Sequence, residues 1–91
     1  MLIMVFQKFQ ACVEDVKNLK QTPSNEELLE LYALFKQATV GDVNTDRPGI
    51  FDLKGKAKWD AWNGKKDTPS DKAKEEYVAL VEKLIAAYGK K

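Results

Sequence analysis

Residues 36–62 read KQATVGDVNTDRPGIFDLKGKAKWDAW, and the fold turns on how this stretch is divided. Its middle, GDVNTDRPGIFD at residues 41–52, holds two Gly, a Pro, and Asp and Asn side chains that bond their own backbone, so it is a loop. On either side the apolar spacing is helical. Upstream, Leu28, Leu29, Leu31, Tyr32, Leu34 and Phe35 belong to a helix expected from about residue 25 to residue 40. Downstream, a helix is expected from about Leu53 to Asn63, ended by Gly64. The upstream helix is apolar over more than one face, whereas a surface helix needs a single stripe. Either it is central in a bundle or its extra face meets something beyond the core, and both can hold.

Working outward, Phe9, Cys12, Val13, Val16 and Leu19 recur at steps of three and four, which predicts a first helix from roughly residue 4 to residue 19, ended by Thr22-Pro23. Ser24 and Glu27 have capping-box spacing for the second helix. Thr68-Pro69-Ser70-Asp71 marks a fourth start, with Thr68 as cap, Pro69 first in the helix and Asp71 near the positive dipole end. Ala73, Tyr77, Leu80, Val81, Leu84 and Tyr88 form its inward stripe, and Gly89 stands at the C-cap. Nothing alternates as a strand does. The expected fold class is all-α, with four helices in one domain spanning residues 1–91.

Charge and absences narrow the function. The net charge of +1 gives no global pull towards nucleic acid. Residues 36–66 nevertheless carry six Lys and Arg47 against four Asp, so positive charge gathers around the distinctive stretch. There is no His, which removes Ser-His-Asp and Cys-His mechanisms and His-ligated metals. The single Cys12 allows no intramolecular disulfide, lies within an apolar pattern as a buried thiol would, and suits a reducing compartment. The opening MLIMVF is far short of a membrane span and lacks the form of a secretory signal. It reads as a flexible or partly packed lead-in, with Met4 a second candidate start.

Two motifs fail on inspection. Asp42, Asn44 and Asp46 imitate the opening of a calcium loop, but Arg47 and Leu53 stand where Gly and a bidentate Glu are required. Gly49 to Lys56 has one spacer too many for a P-loop, Ala57 replaces the magnesium-binding hydroxyl, and no strand precedes it. What survives is a set of cations and rings. Tyr32 and Lys36 are four apart, as are Lys54 and Lys58, and like charges at that spacing repel by ~0.2–0.5 kcal/mol. A solvated cationic face is one reading; an anion such as paired phosphates drawing the lysines together is the other. Trp59 and Trp62, three apart, cannot both point where Lys58 points, so one or both belong to the core.

YxxxKQATVGDVNTxRPG from Tyr32 to Gly49, followed by GKAKWDAW from Gly55 to Trp62, closely resembles the acyl-CoA-binding proteins, and the likeness runs from about Phe9 to Gly89. The resemblance implies an up-down-down-up four-helix bundle whose overhand connection between helices two and three is the long loop. It implies a non-catalytic carrier of medium- to long-chain fatty acyl-CoA esters, cytoplasmic and monomeric, exchanging ligand with enzymes that make and consume them. No cofactor, metal, nucleic acid or stable membrane insertion is expected. Residue by residue, Tyr32, Lys36 and Lys58 match the group at the ribose 3′-phosphate. Lys17 and Lys54 fall where family lysines approach phosphates, and Tyr77 and Trp59 match rings near the ligand. Leu28 and Leu29 fall where apolar residues line the chain groove. Phe35 stands where many members have Tyr against the adenine, and Ile50 where many have a flexible Met at the groove. The alternative class is a helical interaction module or signalling-peptide precursor, for which no signal sequence or trusted dibasic-flanked peptide is seen. A thioesterase is disfavoured because no activated nucleophile can be built.

Overall fold

The computed structural model describes residues 2–91, and side-chain surroundings from residue 7 onward. Four helices follow one another: α1 (Leu2–Asp15), α2 (Asn25–Thr39), α3 (Leu53–Asn63) and α4 (Ser70–Tyr88), with a single 3-10 turn at Val16–Asn18. The regular part of α1 therefore begins earlier than the expected residue 4 and ends before residue 19. The chain tightens at Val16 and is extended at Leu19, where it pairs with Lys90 as an isolated antiparallel bridge. The lead-in is thus helical in its backbone from Leu2; the packing of side chains 1–6 lies outside the described residues.

The caps explain the boundaries. The Ser24 hydroxyl accepts from the Glu27 N–H while the Glu27 carboxylate accepts from the Ser24 N–H, completing the predicted box. Asp52 caps α3 by accepting from the Gly55 N–H at 2.9 Å. A Cβ on Gly55 would lie 2.2 Å from that carboxylate, so only glycine fits beneath the cap. For α4 the expectation is corrected: Pro69, extended at φ −60° and ψ 146°, is the N-cap, and no side chain caps the helix. Thr68 serves elsewhere, its carbonyl accepting from the Gln37 amide. At the far end Gly89 takes φ +80°, a turn that glycine adopts without penalty.

Side-chain bonds fix how the helices run. Ser70 at the start of α4 donates to the Ala38 carbonyl at the end of α2, and Tyr88 at the end of α4 donates to Glu27 at the start of α2. These helices are antiparallel. Lys20 N–H to the Gly89 carbonyl brings the ends of α1 and α4 together, so that pair is parallel. Trp62 of α3 donates to the Gly41 carbonyl just past α2, while Leu53 and Lys54 face Asn25 and Leu28, so α2 and α3 are parallel too. The order is up-down-down-up, as expected, and α2 is the central helix between α4 and α3.

The core fills the junction of α1, α2 and α4 with Phe9, Cys12, Leu31, Leu34, Tyr77, Val81 and Leu84. Each such Leu or Val contributes ~1.5–3 kcal/mol of burial. Gln37 is the polar exception, 2% exposed: its Nε2 donates to Asp42 Oδ1 and the Thr68 carbonyl, both at 2.8 Å. Asp42 also accepts from the Asp67 N–H. One buried amide thus ties the end of α2 to the loops before α3 and α4. The molecule is flat, 37 × 31 × 15 Å between Cα extremes. α3, whose only buried side chain is Trp62, lies on the outer side of α2.

Candidate functional site

Because α3 packs on α2 through few large side chains, the parallel pair leaves an open cleft of about 450 Å³ between them. Asn25, Leu28, Leu29 and Tyr32 line one wall at helical spacing; Leu53, Lys54, Ala57 and Lys58 line the other. Its surface is mostly hydrocarbon, with the two lysines at the edge. Lys58 Nζ stands 5.5 Å from the centre of the Tyr32 ring, within cation–π range. Lys36, one turn beyond Tyr32, holds its Nζ 4.9 Å from the Trp62 ring centre. Neither cation has a carboxylate partner in an ion pair among the described residues, and Asp60 of α3 is engaged by Arg47 through two hydrogen bonds of 2.9 Å. That hydrogen bond holds the Asp60 carboxyl below its usual range, and raises Arg47 in turn.

A second depression lies between α1 and α2, lined by Phe9, Gln10, Val13, Glu14, Phe35 and Thr39. Phe35 is 36% exposed and stacks on Phe9 with ring centres 6.0 Å apart. Beneath them Tyr77, 3% exposed, meets Phe9 edge to face at 5.0 Å. Burial pushes its phenol up to about 12, with a smaller contribution from Cys12. Burial likewise raises the Cys12 thiol, which keeps it protonated and unreactive at neutral pH.

Of the residues singled out from the sequence, Leu28, Leu29, Tyr32, Lys54 and Lys58 come together in the cleft, with Lys36 beside it. Phe35 and Tyr77 belong to the aromatic group at the second depression. Lys17 lines neither surface and is ion-paired with Glu14 at 3.0 Å. Trp59 is also outside the cleft lining: its indole N–H donates to the Thr45 carbonyl at 2.8 Å, pinning the long loop. Ile50 is exposed and does not line the cleft. Asn25, Leu53 and Ala57 were not singled out, although Asn25 extends the Leu28–Leu29–Tyr32 face by three residues, and Leu53 and Ala57 share the spacing of Lys54 and Lys58. The internal bonds of Gln37 had no comparable signal.

The family model described as acyl CoA binding protein matches residues 6–81. An acyl-CoA-binding protein homolog of Caenorhabditis elegans is 64% identical over 81 residues, covering 89% of this chain and 94% of its own. A homolog of Drosophila melanogaster is 55% identical over 85 residues, covering 93% and 99%. Among solved structures, acyl-CoA-binding protein 2 of Oryza sativa superposes with a TM-score of 0.90 at 42% identity, covering 93% of this chain and 92% of that one. Agreement of fold, sequence and extent makes the chain a member of the acyl-CoA-binding protein family.

Proposed function

We propose that this protein binds fatty acyl-CoA esters and carries them between the enzymes that make and consume them, without acting on them chemically. The observation that carries this reading is the α2–α3 cleft, a hydrocarbon trough with Tyr32, Lys54 and Lys58 at its border. Such a surface suits a ligand that is apolar over most of its length and anionic at one end. CoA offers several negative charges, a phosphate monoester alone carrying ~1.5 to 2. Lys54, Lys58 and Lys36 are the cations poised to receive them, and Phe35 presents a ring face to the adenine. Lys17 would join by leaving Glu14, an exposed pair of little worth. Tyr77 and Trp59 act by support, one beneath Phe35 and the other by fixing the loop.

Chain burial sets the affinity. Each methylene withdrawn from water contributes ~0.8 kcal/mol at most, reduced by immobilisation of the ligand. The carrier reading is favoured over hydrolysis because the chain has no His and its one thiol is buried. No helix among the described residues is long and apolar enough to cross a membrane; that the carrier is a cytoplasmic monomer is part of the same proposal. Native mass spectrometry of the protein with a mixed pool of acyl-CoA esters tests the proposal. One bound ester per chain, with long chains outcompeting short ones and bare CoA, is expected; equal occupancy across chain lengths would refute the trough.

A further inference from the structure

The site leaves one prominent surface unused. Ile50, Phe51 and Leu53 are 71%, 97% and 73% exposed where the long loop enters α3. Isolated apolar side chains on a surface are ordinary, but three within four positions at one tip are not. The tip is also held firmly. Arg47 is locked to Asp60, Trp59 bonds the Thr45 carbonyl, the Asp52 N–H donates to the Gly49 carbonyl at 3.1 Å, and the Asp52 carboxylate is folded back onto Gly55. These bonds fix the backbone on both sides of the three apolar side chains, and Phe51 stands almost wholly in solvent.

We infer that the Ile50–Phe51–Leu53 tip docks on anionic lipid bilayers and presents the α2–α3 cleft to the membrane surface. Charge argues for a lipid occupant. Residues 50–58 carry Lys54, Lys56 and Lys58 against Asp52 alone, Arg47 being paired with Asp60, and the three lysines make no ion pair among the described residues. Lysines beside an apolar wedge complement acidic headgroups above a hydrocarbon layer. Position argues the same way: Leu53 belongs both to the tip and to the cleft wall, so the two apolar surfaces are continuous. Resting on the carrier reading, this continuity gives an acyl chain a path from bilayer to cleft without crossing water. The contact is shallow and reversible, since it inserts side chains and no helix.

Co-sedimentation of the ligand-free protein with phosphatidylcholine vesicles containing roughly 30% phosphatidylserine tests the inference. Binding to these vesicles, weak binding to pure phosphatidylcholine, and loss of binding as salt rises are expected. Phe51→Ser should reduce vesicle binding about tenfold. Because Phe51 lines no part of the cleft, this variant should retain its affinity for dodecanoyl-CoA in vesicle-free calorimetry. Failure of the unmodified protein to sediment, or unchanged sedimentation of Phe51→Ser, overturns the inference. So does a dimer in analytical ultracentrifugation that Phe51→Ser dissolves, which would assign the tip to a second copy. Absence of dodecanoyl-CoA binding would instead overturn the carrier reading, on an arm that involves no membrane.

Discussion

Replacing Lys58 with alanine should weaken acyl-CoA binding sharply while leaving the fold intact. Lys58 is exposed on α3, and its ammonium group makes one described contact, with the Tyr32 ring at 5.5 Å. Removing it deletes no buried packing, so the thermal midpoint should move little. In the complex the same ammonium group would meet a phosphate in a charge-assisted bond worth ~1.5–3 kcal/mol. Screening at an exposed edge favours the lower half of that range, giving a Kd increase of roughly ten- to fiftyfold. Titration calorimetry with dodecanoyl-CoA at low and high salt measures this, and the deficit should shrink as salt rises. Lys72→Ala removes an equal charge from the exposed face of α4 and provides the control. Equal affinity of Lys58→Ala and the unmodified protein would refute the assignment, as would an equal loss in Lys72→Ala. The latter result would reduce the effect to net charge.

Two further predictions concern pH. The folded state holds the Tyr77 proton up to about 12, whereas an unfolded tyrosine loses it near 10. Stability from this group is complete below the unfolded value and declines as pH rises through the folded one. The share of tyrosinate absorbance that Tyr77→Phe removes should appear together with the loss of ellipticity in the parent, and Tyr77→Phe should resist alkali better; identical alkaline transitions would refute this. The Glu27 carboxyl is held below its usual value of 4.5, chiefly by the Ser24 N–H and then by the Tyr88 hydroxyl. Its contribution is present above that value and lost as pH falls through the folded one. Tyr88→Phe should therefore be less stable than the parent at neutral pH, with the difference closing as pH falls through the folded-state value of Glu27. A pH-independent difference in denaturant midpoints would count against it.

The helices were legible because local chemistry and burial agree. Ser24 with Glu27 opens α2 as its spacing says, and the stripe from Ala73 to Leu84 is the buried face of α4. The start of α4 was misplaced because Thr68 has cap chemistry in sequence, while in the fold its carbonyl is drawn to Gln37. Such a demand comes from a residue 31 positions away and leaves no local trace. The cleft was legible by half. Tyr32 with Leu28 and Leu29, and Lys54 with Lys58, share faces by periodicity, but that the two faces oppose each other depends on the parallel pairing of α2 and α3. Periodicity carries no direction of packing. The resemblance supplied it, and also brought in Lys17 and Trp59, whose side chains here serve Glu14 and the loop.

The 15 Å depth of the molecule bears on how quickly cargo leaves. That depth holds two helix layers, and the cleft between α2 and α3 lies open on the surface, so unloading awaits no hinge or gate. Its tempo is set by how much tail must peel from the wall, and each added methylene should slow departure by about fourfold at most.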